Sequence, residues 1–302
     1  MTGVQTCALP IFTLFFPHIA SQGVWETEIC IINQGAQETS GELKSYGNSG
    51  QQIGSAQSAL ASKGRRVITV GDEFAAPDNI GYIVFEADSQ DVCGYLKFYR
   101  DKKYRVAIPA ASEVNDGDIY ISHIASDETW NTGISLLNTT SEPRSLRMEF
   151  DNGATRTIAF SANEHRAFTI RDLFGGKAQP AIGSAVIKDG DGLVGLEIFG
   201  STDSSKLDYL SGVLLKGETE TDIYYPHITA DSVWQTGIVS YNPSAGSCDL
   251  EIKPFASDGA VLPPQTILLA GNENYIGIAS ELDFPPETAW IRQRSGTWRR
   301  RS

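Results

Sequence analysis

The sequence predicts an all-β fold of tandem antiparallel β-sandwich domains with an internal repeat of about 104 residues. Three observations carry this reading. Aromatic residues make up 10% of the chain, with 29 glycines and only 2 methionines, a mix that suits strands and turns better than long helices. Apolar residues recur with a period of two, and no apolar stripe of helical spacing outlasts two turns. A sixteen-residue window recurs three times without a gap, at 18–33, 123–138 and 227–242. A small closed β-barrel per unit is the alternative architecture.

The windows share the pattern H-I-x5-W-x-T-x-I-x3-N. It places His18, Trp25, Thr27 and Asn33 in the first copy. The second copy has His123, Trp130, Thr132 and Asn138, and the third has His227, Trp234, Thr236 and Asn242. The three histidines lie 105 and 104 residues apart, a domain-sized period. A strand precedes each window, as in DIYISH at 118–123 and DIYYPH at 222–227, and TLFFPH at 13–18 takes the same place. Within the window, Trp130, Thr132, Ile134 and Leu136 share one face, which is expected to be the core face. The tryptophans are therefore expected to be buried. Next comes a strand with one wet face, where Leu146, Met148 and Phe150 alternate with Arg147 and Glu149. A Gly-containing turn follows, and then a single helical turn near Phe74 or Phe174. A strand of the type GYLKFY (94–99) or GLEIFG (195–200) completes the unit.

The repeat divides the chain into units at 12–112, 113–217 and 218–302, joined by short acidic linkers. Residues 1–11, MTGVQTCALPI, have no counterpart in the later copies and resemble the in-frame translation of a sequencing-library adapter. They are left out of fold reasoning as an artefact. After Trp290 and Ile291 the third copy gives way to Arg292, Arg294, Arg299, Arg300 and Arg301, so the third unit reads as incomplete.

Charge and motif content narrow the function. A net charge of -13 excludes a general phosphate-backbone binder, so nucleic acid is not an expected partner. No apolar run reaches the length of a membrane-spanning helix. No HExxH or CxxC pattern and no close His/Cys cluster suggests a metal, so no cofactor is expected. The Asp and Gly residues at 115–118 and 189–192 could offer oxygens to calcium, but neither has EF-hand spacing, and tight solvated turns account for both. There is no GxSxG elbow and no phosphate-binding glycine loop, so no enzyme is expected. His165 lies in the polar stretch Ala162-Asn163-Glu164-His165-Arg166 and reads as a solvated turn residue. The repeated His, Trp, Thr and Asn read as fold-specifying residues. A ligand pocket made three times is the competing reading. Cys30 and Cys93 fall in two strands of the first unit and could be bridged, although buried free thiols are favoured.

The H-I-A…W-x-T-x-I…N window, the xDG turn and the G-[LY]-x-x-F strand together resemble tandem β-sandwich repeats of bacterial secreted or surface proteins, broadly immunoglobulin-like or fibronectin-III-like in shape. The resemblance covers residues 13 to about 291 and carries no active-site motif. It implies an extracellular or cell-surface location and a spacer, adhesion or interaction role within a larger protein. Glycans or protein surfaces are then the expected partners. The main alternative is a set of carbohydrate-binding modules in which Tyr46, Tyr99 or Tyr241 stack on sugar rings. A hydrolase with an interdomain site is the remote one.

Overall fold

The computed structural model describes residues 12–101, 104–203, 209–229 and 235–296. Residues 1–11, Trp234 and Arg299 to Arg301 lie outside them. The first unit contains β1 (Phe12–Phe16), β2 (Trp25–Asn33), β3 (Thr39–Tyr46), β4 (Gln52–Leu60), β5 (Arg65–Thr69), β6 (Tyr82–Ala87), β7 (Val92–Arg100) and β8 (Tyr104–Pro109). The second contains β9 (Ile119–Ile121), β10 (Trp130–Asn138), β11 (Arg144–Phe150), β12 (Thr155–Phe160), β13 (His165–Thr169), β14 (Ala185–Lys188), β15 (Leu193–Ser201) and β16 (Leu210–Leu215). The third contains β17 (Asp222–Tyr225), β18 (Gly237–Tyr241), β19 (Cys248–Ala256), β20 (Gln265–Leu269), β21 (Asn274–Ile278) and β22 (Thr288–Ser295).

Strand order repeats with the sequence. The first unit has sheets β1-β6-β3-β4 and β5-β2-β7-β8, and the second has β9-β14-β11-β12 and β13-β10-β15-β16. Every sheet is open, so the closed-barrel alternative does not hold. The two motif strands occupy the same place and register: Trp25 lies opposite Arg100 and Trp130 opposite Ser201. A single helical turn, α1 (Val70–Glu73) or α2 (Ile170–Leu173), follows β5 or β13.

The third unit repeats the first sheet as β17-β22-β19-β20, whereas its second sheet has two strands among the described residues, β18 and β21. The last strand of the unit runs on past Ile291. Arg292 and Arg294 belong to the regular strand β22, opposite Tyr224 and Asp222 of β17. Ile291 and Gln293 turn into the core, so the intervening arginines face outward, where Arg294 Nε donates to Asp222 at 2.8 Å.

Alternation fixes the cores. Leu146, Met148 and Phe150 are buried while Arg147 is exposed, which gives β11 its one wet face. On the motif strands Thr27, Ile29, Ile31 and Asn33 are buried, as are Thr132, Ile134, Leu136 and Asn138. The tryptophans depart from the expectation. Trp25 and Trp130 stand at the first position of their strands and are only half-buried. Trp25 lies under the Arg100 guanidinium, and Trp130 stacks on Tyr209 with ring centroids 5.8 Å apart.

The outer face of sheet β13-β10-β15-β16 packs against the first unit. Leu196 is buried in the first unit's core, with Ile198, Leu210 and Leu214 packed against it. Leu137 is buried with Tyr82 and Val84. Full burial of one such aliphatic side chain contributes roughly 1.5–3 kcal/mol, so these contacts hold the two units together firmly.

Candidate functional site

The motif residues divide between fold and interface. The threonines clasp the backbone that follows the motif histidine. Thr27 Oγ1 donates to the Ala20 carbonyl and accepts from the Ala20 N–H, both at 2.9 Å. Thr132 does the same with Ala125, and Thr236 Oγ1 accepts from Thr229 N–H. The asparagines close the far end of the strand. Asn138 Nδ2 donates to the carbonyls of Glu142 and Ser161 at 2.8 Å each, and its Oδ1 accepts from Thr140. Asn33 and Asn242 bridge the equivalent loops. All three asparagines are buried, and their polar atoms are occupied within their own units.

The histidines differ by unit. His18 packs on Phe98, and its Nδ1 lies 3.3 Å from His165 Nε2. His123 is half-buried edge-on to Phe199, and its Nδ1 has no hydrogen-bond partner. His227 is exposed and meets Thr229 Oγ1 at 2.8 Å.

His165 overturns its sequence reading. It opens β13 and is only 4% exposed, because the outer face of its sheet is covered by the first unit. His165 Nδ1 meets Asn48 Oδ1 at 2.8 Å, and the His165 N–H donates to the Asn48 carbonyl. His165 Nε2 meets Ser135 Oγ at 2.8 Å, and Ser135 Oγ also reaches the Pro17 carbonyl at 2.9 Å. Tyr82 Oη donates to the Asn163 carbonyl at 3.2 Å beside them. This is a buried polar junction between units. Burial pushes the His165 imidazole down to about 3, with the neighbouring His18 adding to the shift and the Pro17 carbonyl opposing it. Burial likewise lowers His18 to about 4. Both rings are therefore neutral at physiological pH.

The position is used twice. Aligning the copies puts Asn274 where the second unit has His165 and the first has Arg65. Asn274 Nδ2 donates to the carbonyls of Ser122 and Gly183 in the second unit, at 3.2 and 3.1 Å. Tyr120 and Tyr241 meet beside it, with centroids 5.6 Å apart. The start of this strand is thus the docking point at both junctions.

Beside the first junction lies a cleft of about 550 Å³ between the two units. Ile19, Trp25 and Phe98 line it from the first unit, and Asn131, Ile198 and Leu210 from the second. Arg100, Asp172 and the motif histidine His18 line it as well. The Asp172 carboxylate accepts from Thr169 N–H and Oγ1 at 2.7 and 2.8 Å, capping α2. The Asn131 side-chain oxygen is buried and has no partner.

The chain matches no family model, no curated protein and no solved structure with which it was compared.

The remaining candidates are separate from this cleft. Tyr46 stacks on Tyr82 at the first junction, Tyr241 sits at the second, and Tyr99 bonds Glu28 on the open face of the first unit. They form no common row for a sugar. Cys30 and Cys93 are free thiols on the paired strands β2 and β7 of one sheet, opposite Tyr95 and Ile32. Asp118 pairs with Lys188, and Asp191 accepts the Gly117 N–H at 2.9 Å, so both loops are tied by their own chain. Among the described residues no three His, Cys, Asp or Glu side chains cluster as a metal site.

Sequence reasoning missed Glu197. It lies opposite Ile134 on the core face of β15 and is 1% exposed, with its Oε2 unpartnered. Burial raises its carboxyl to about 8, so it is largely neutral at pH 7. The signal was present in the repeat: Leu96 holds the same position in the first unit, opposite Ile29.

Proposed function

We propose that this chain is a non-catalytic, extracellular β-sandwich array that serves as the spacer, adhesion or interaction region of a larger surface protein. The observation that carries the reading is the junction at His165. A buried, hydrogen-bonded interface suits a rigid array that sets distance and orientation better than it suits loosely tethered modules. The motif residues support it as well. Thr27, Thr132, Asn33 and Asn138 spend their polar atoms on the backbone of their own units, as fold-specifying residues do. The surface location follows from the resemblance of the repeat to secreted β-sandwich repeats. A net charge of -13 favours neutral or basic partner surfaces over anionic ones.

The test is a binding and turnover screen on the whole chain. Binding to cell-surface protein or neutral glycan without any hydrolysis is the expected outcome. Hydrolysis of a polysaccharide or peptide that is abolished by replacing one carboxylate contradicts the reading.

A further inference from the structure

We propose that the third unit accepts a β-strand from another polypeptide along the open edge of β18, in the place that β7 and β15 hold in the other units. This gives the proposed interaction role a partner, and it rests on that reading.

The edge is a sheet interior elsewhere in the chain. β2 runs between β5 and β7, and β10 between β13 and β15, whereas β18 has β21 as its one neighbour among the described residues. Val239 takes the position of Cys30 and Ser135. Those two lie opposite Tyr95 and Leu196 of the partner strands. Their carbonyls point at those strands, since a Cβ added to Gly94 or Gly195 would stand 2.7 or 2.6 Å from the Cys30 or Ser135 oxygen. In the third unit a side chain takes that place. Tyr225 Oη donates to the Val239 carbonyl at 3.0 Å and accepts from the Val239 N–H at 3.3 Å.

Tyr225 decides between a fixed and an exchangeable partner. Its position holds Phe16 and Ile121 in the units whose own chain supplies the strand, and neither can bond a strand edge. Tyr225 satisfies Val239 while the edge is open, and the backbone of an incoming strand can take over both bonds. The surroundings are exposed where a strand is wanting. Ile223 is 40% exposed, whereas its equivalents Leu14 and Ile119 are 1% and 0% exposed, with β1 packed against β7 and β9 against β16. His227 is exposed, whereas His18 and His123 pack on a phenylalanine of the partner strand, Phe98 or Phe199.

These features define the partner. The edge asks for extended backbone antiparallel to β18. The Val239 carbonyl asks for a glycine opposite Ser240, as Gly94 stands opposite Ile31. Ile238 asks for an apolar residue two positions on, as Leu96 faces Ile29, and His227 asks for an aromatic ring two positions further. In strand addition of this kind, main-chain bonds give affinity and alternate side chains give specificity.

The experiment is an NMR titration of the whole chain with a synthetic peptide of sequence 91–100, carrying Cys93→Ser to prevent oxidation. Saturable shifts below about 1 mM peptide are expected at the amides of Gly237, Val239 and Tyr241 and at the His227 ring. Peptides with Gly94→Val or Phe98→Ser are expected to bind at least about tenfold more weakly. In the chain, Tyr225→Phe is expected to bind the peptide about two- to tenfold more tightly, because no hydroxyl bond has to be given up. Ile223→Lys, a change at an exposed position, is expected to abolish binding. Both chain variants are checked for a cooperative melt. No saturable shift on β18, equal binding of the three peptides, or binding that a folded Tyr225→Phe chain leaves unchanged or weakens overturns the proposal. Sedimentation of the chain alone is expected to give a monomer; a dimer that protects the β18 amides from exchange would place a second copy on the edge and overturn it as well. The shifts are read on β18, so failure here is separate from failure of the interaction role, which the screen on cell-surface protein and glycan decides.

Discussion

Acidification from pH 7 to pH 5 is expected to weaken the junction between the first and second units. His18 and His165 have folded values of about 4 and about 3, both below the ordinary 6.5 of an imidazole. Burial excludes the charged form, so their contribution to stability is complete above pH 6.5 and is lost as the pH falls toward the folded values. At 1.36 kcal/mol per pH unit, each ring costs about 2 kcal/mol by pH 5, with about 4 kcal/mol as the ceiling for the pair. The groups facing His165 are Asn48, Ser135, the Pro17 carbonyl, Tyr82 and His18, with no carboxylate among them to hold an added proton. Around His18, the charged groups bordering the cleft are Arg100 and Asp172. The assay is urea unfolding at pH 7 and pH 5 for the wild type and for His165→Asn, which copies the residue of the third unit, Asn274. The variant should lose about 2 kcal/mol less than the wild type on acidification. An equal loss in both proteins would refute the assignment of the acid sensitivity to the junction.

Three further outcomes follow from the same structure. Glu197→Leu, which copies Leu96, should raise stability at pH 7 by up to about 3 kcal/mol, since a carboxyl raised from 4.5 to about 8 stabilises fully below 4.5 and loses that stability as the pH rises through 8; urea titrations at pH 5, 7 and 8 should show the wild-type decline disappear in the variant. Asn138→Ala should cost about 1–3 kcal/mol, because it removes a fully buried side chain that bonds the Glu142 and Ser161 carbonyls and the Thr140 N–H, at roughly 0.5–1.5 kcal/mol per hydrogen bond; a cost below about 0.5 kcal/mol in urea melts, the range of ordinary surface changes, would contradict its role in the loop. Trp130→Ala should cost about 1–2 kcal/mol rather than the roughly 3–5 kcal/mol of a full core truncation, because the ring is only half-buried against Tyr209; the same melts measure it.

Much of the fold was legible because a sandwich strand states its inner face by alternation. Ile29, Ile31, Leu146 and Met148 went where period two put them. The spacing of Thr27 and Asn33 within the window also carried through to bonds within the unit. The outer faces were not legible. Alternation says that a residue points away from its own core, but not whether another unit waits there. His165 was read as solvated for that reason, and Leu196 gave no sign that it would enter its neighbour's core. Trp25 and Trp130 share the parity of the core face yet open their strands, and alternation alone does not say that the first position of a strand is less covered than its middle. Comparison among copies did hold some of the missing signal. Arg65, His165 and Asn274 mark the free, first-junction and second-junction versions of one position, and Leu96 against Glu197 marks a carboxyl placed in a core.

The central claim is that the first two units form one body joined at His165. Backbone ¹⁵N relaxation on the whole chain measures this directly. The account predicts a single rotational correlation time for strands of both units, for example β3 and β11, at pH 7. Two distinct correlation times at that pH, each matching a unit of about 100 residues tumbling alone, would contradict it.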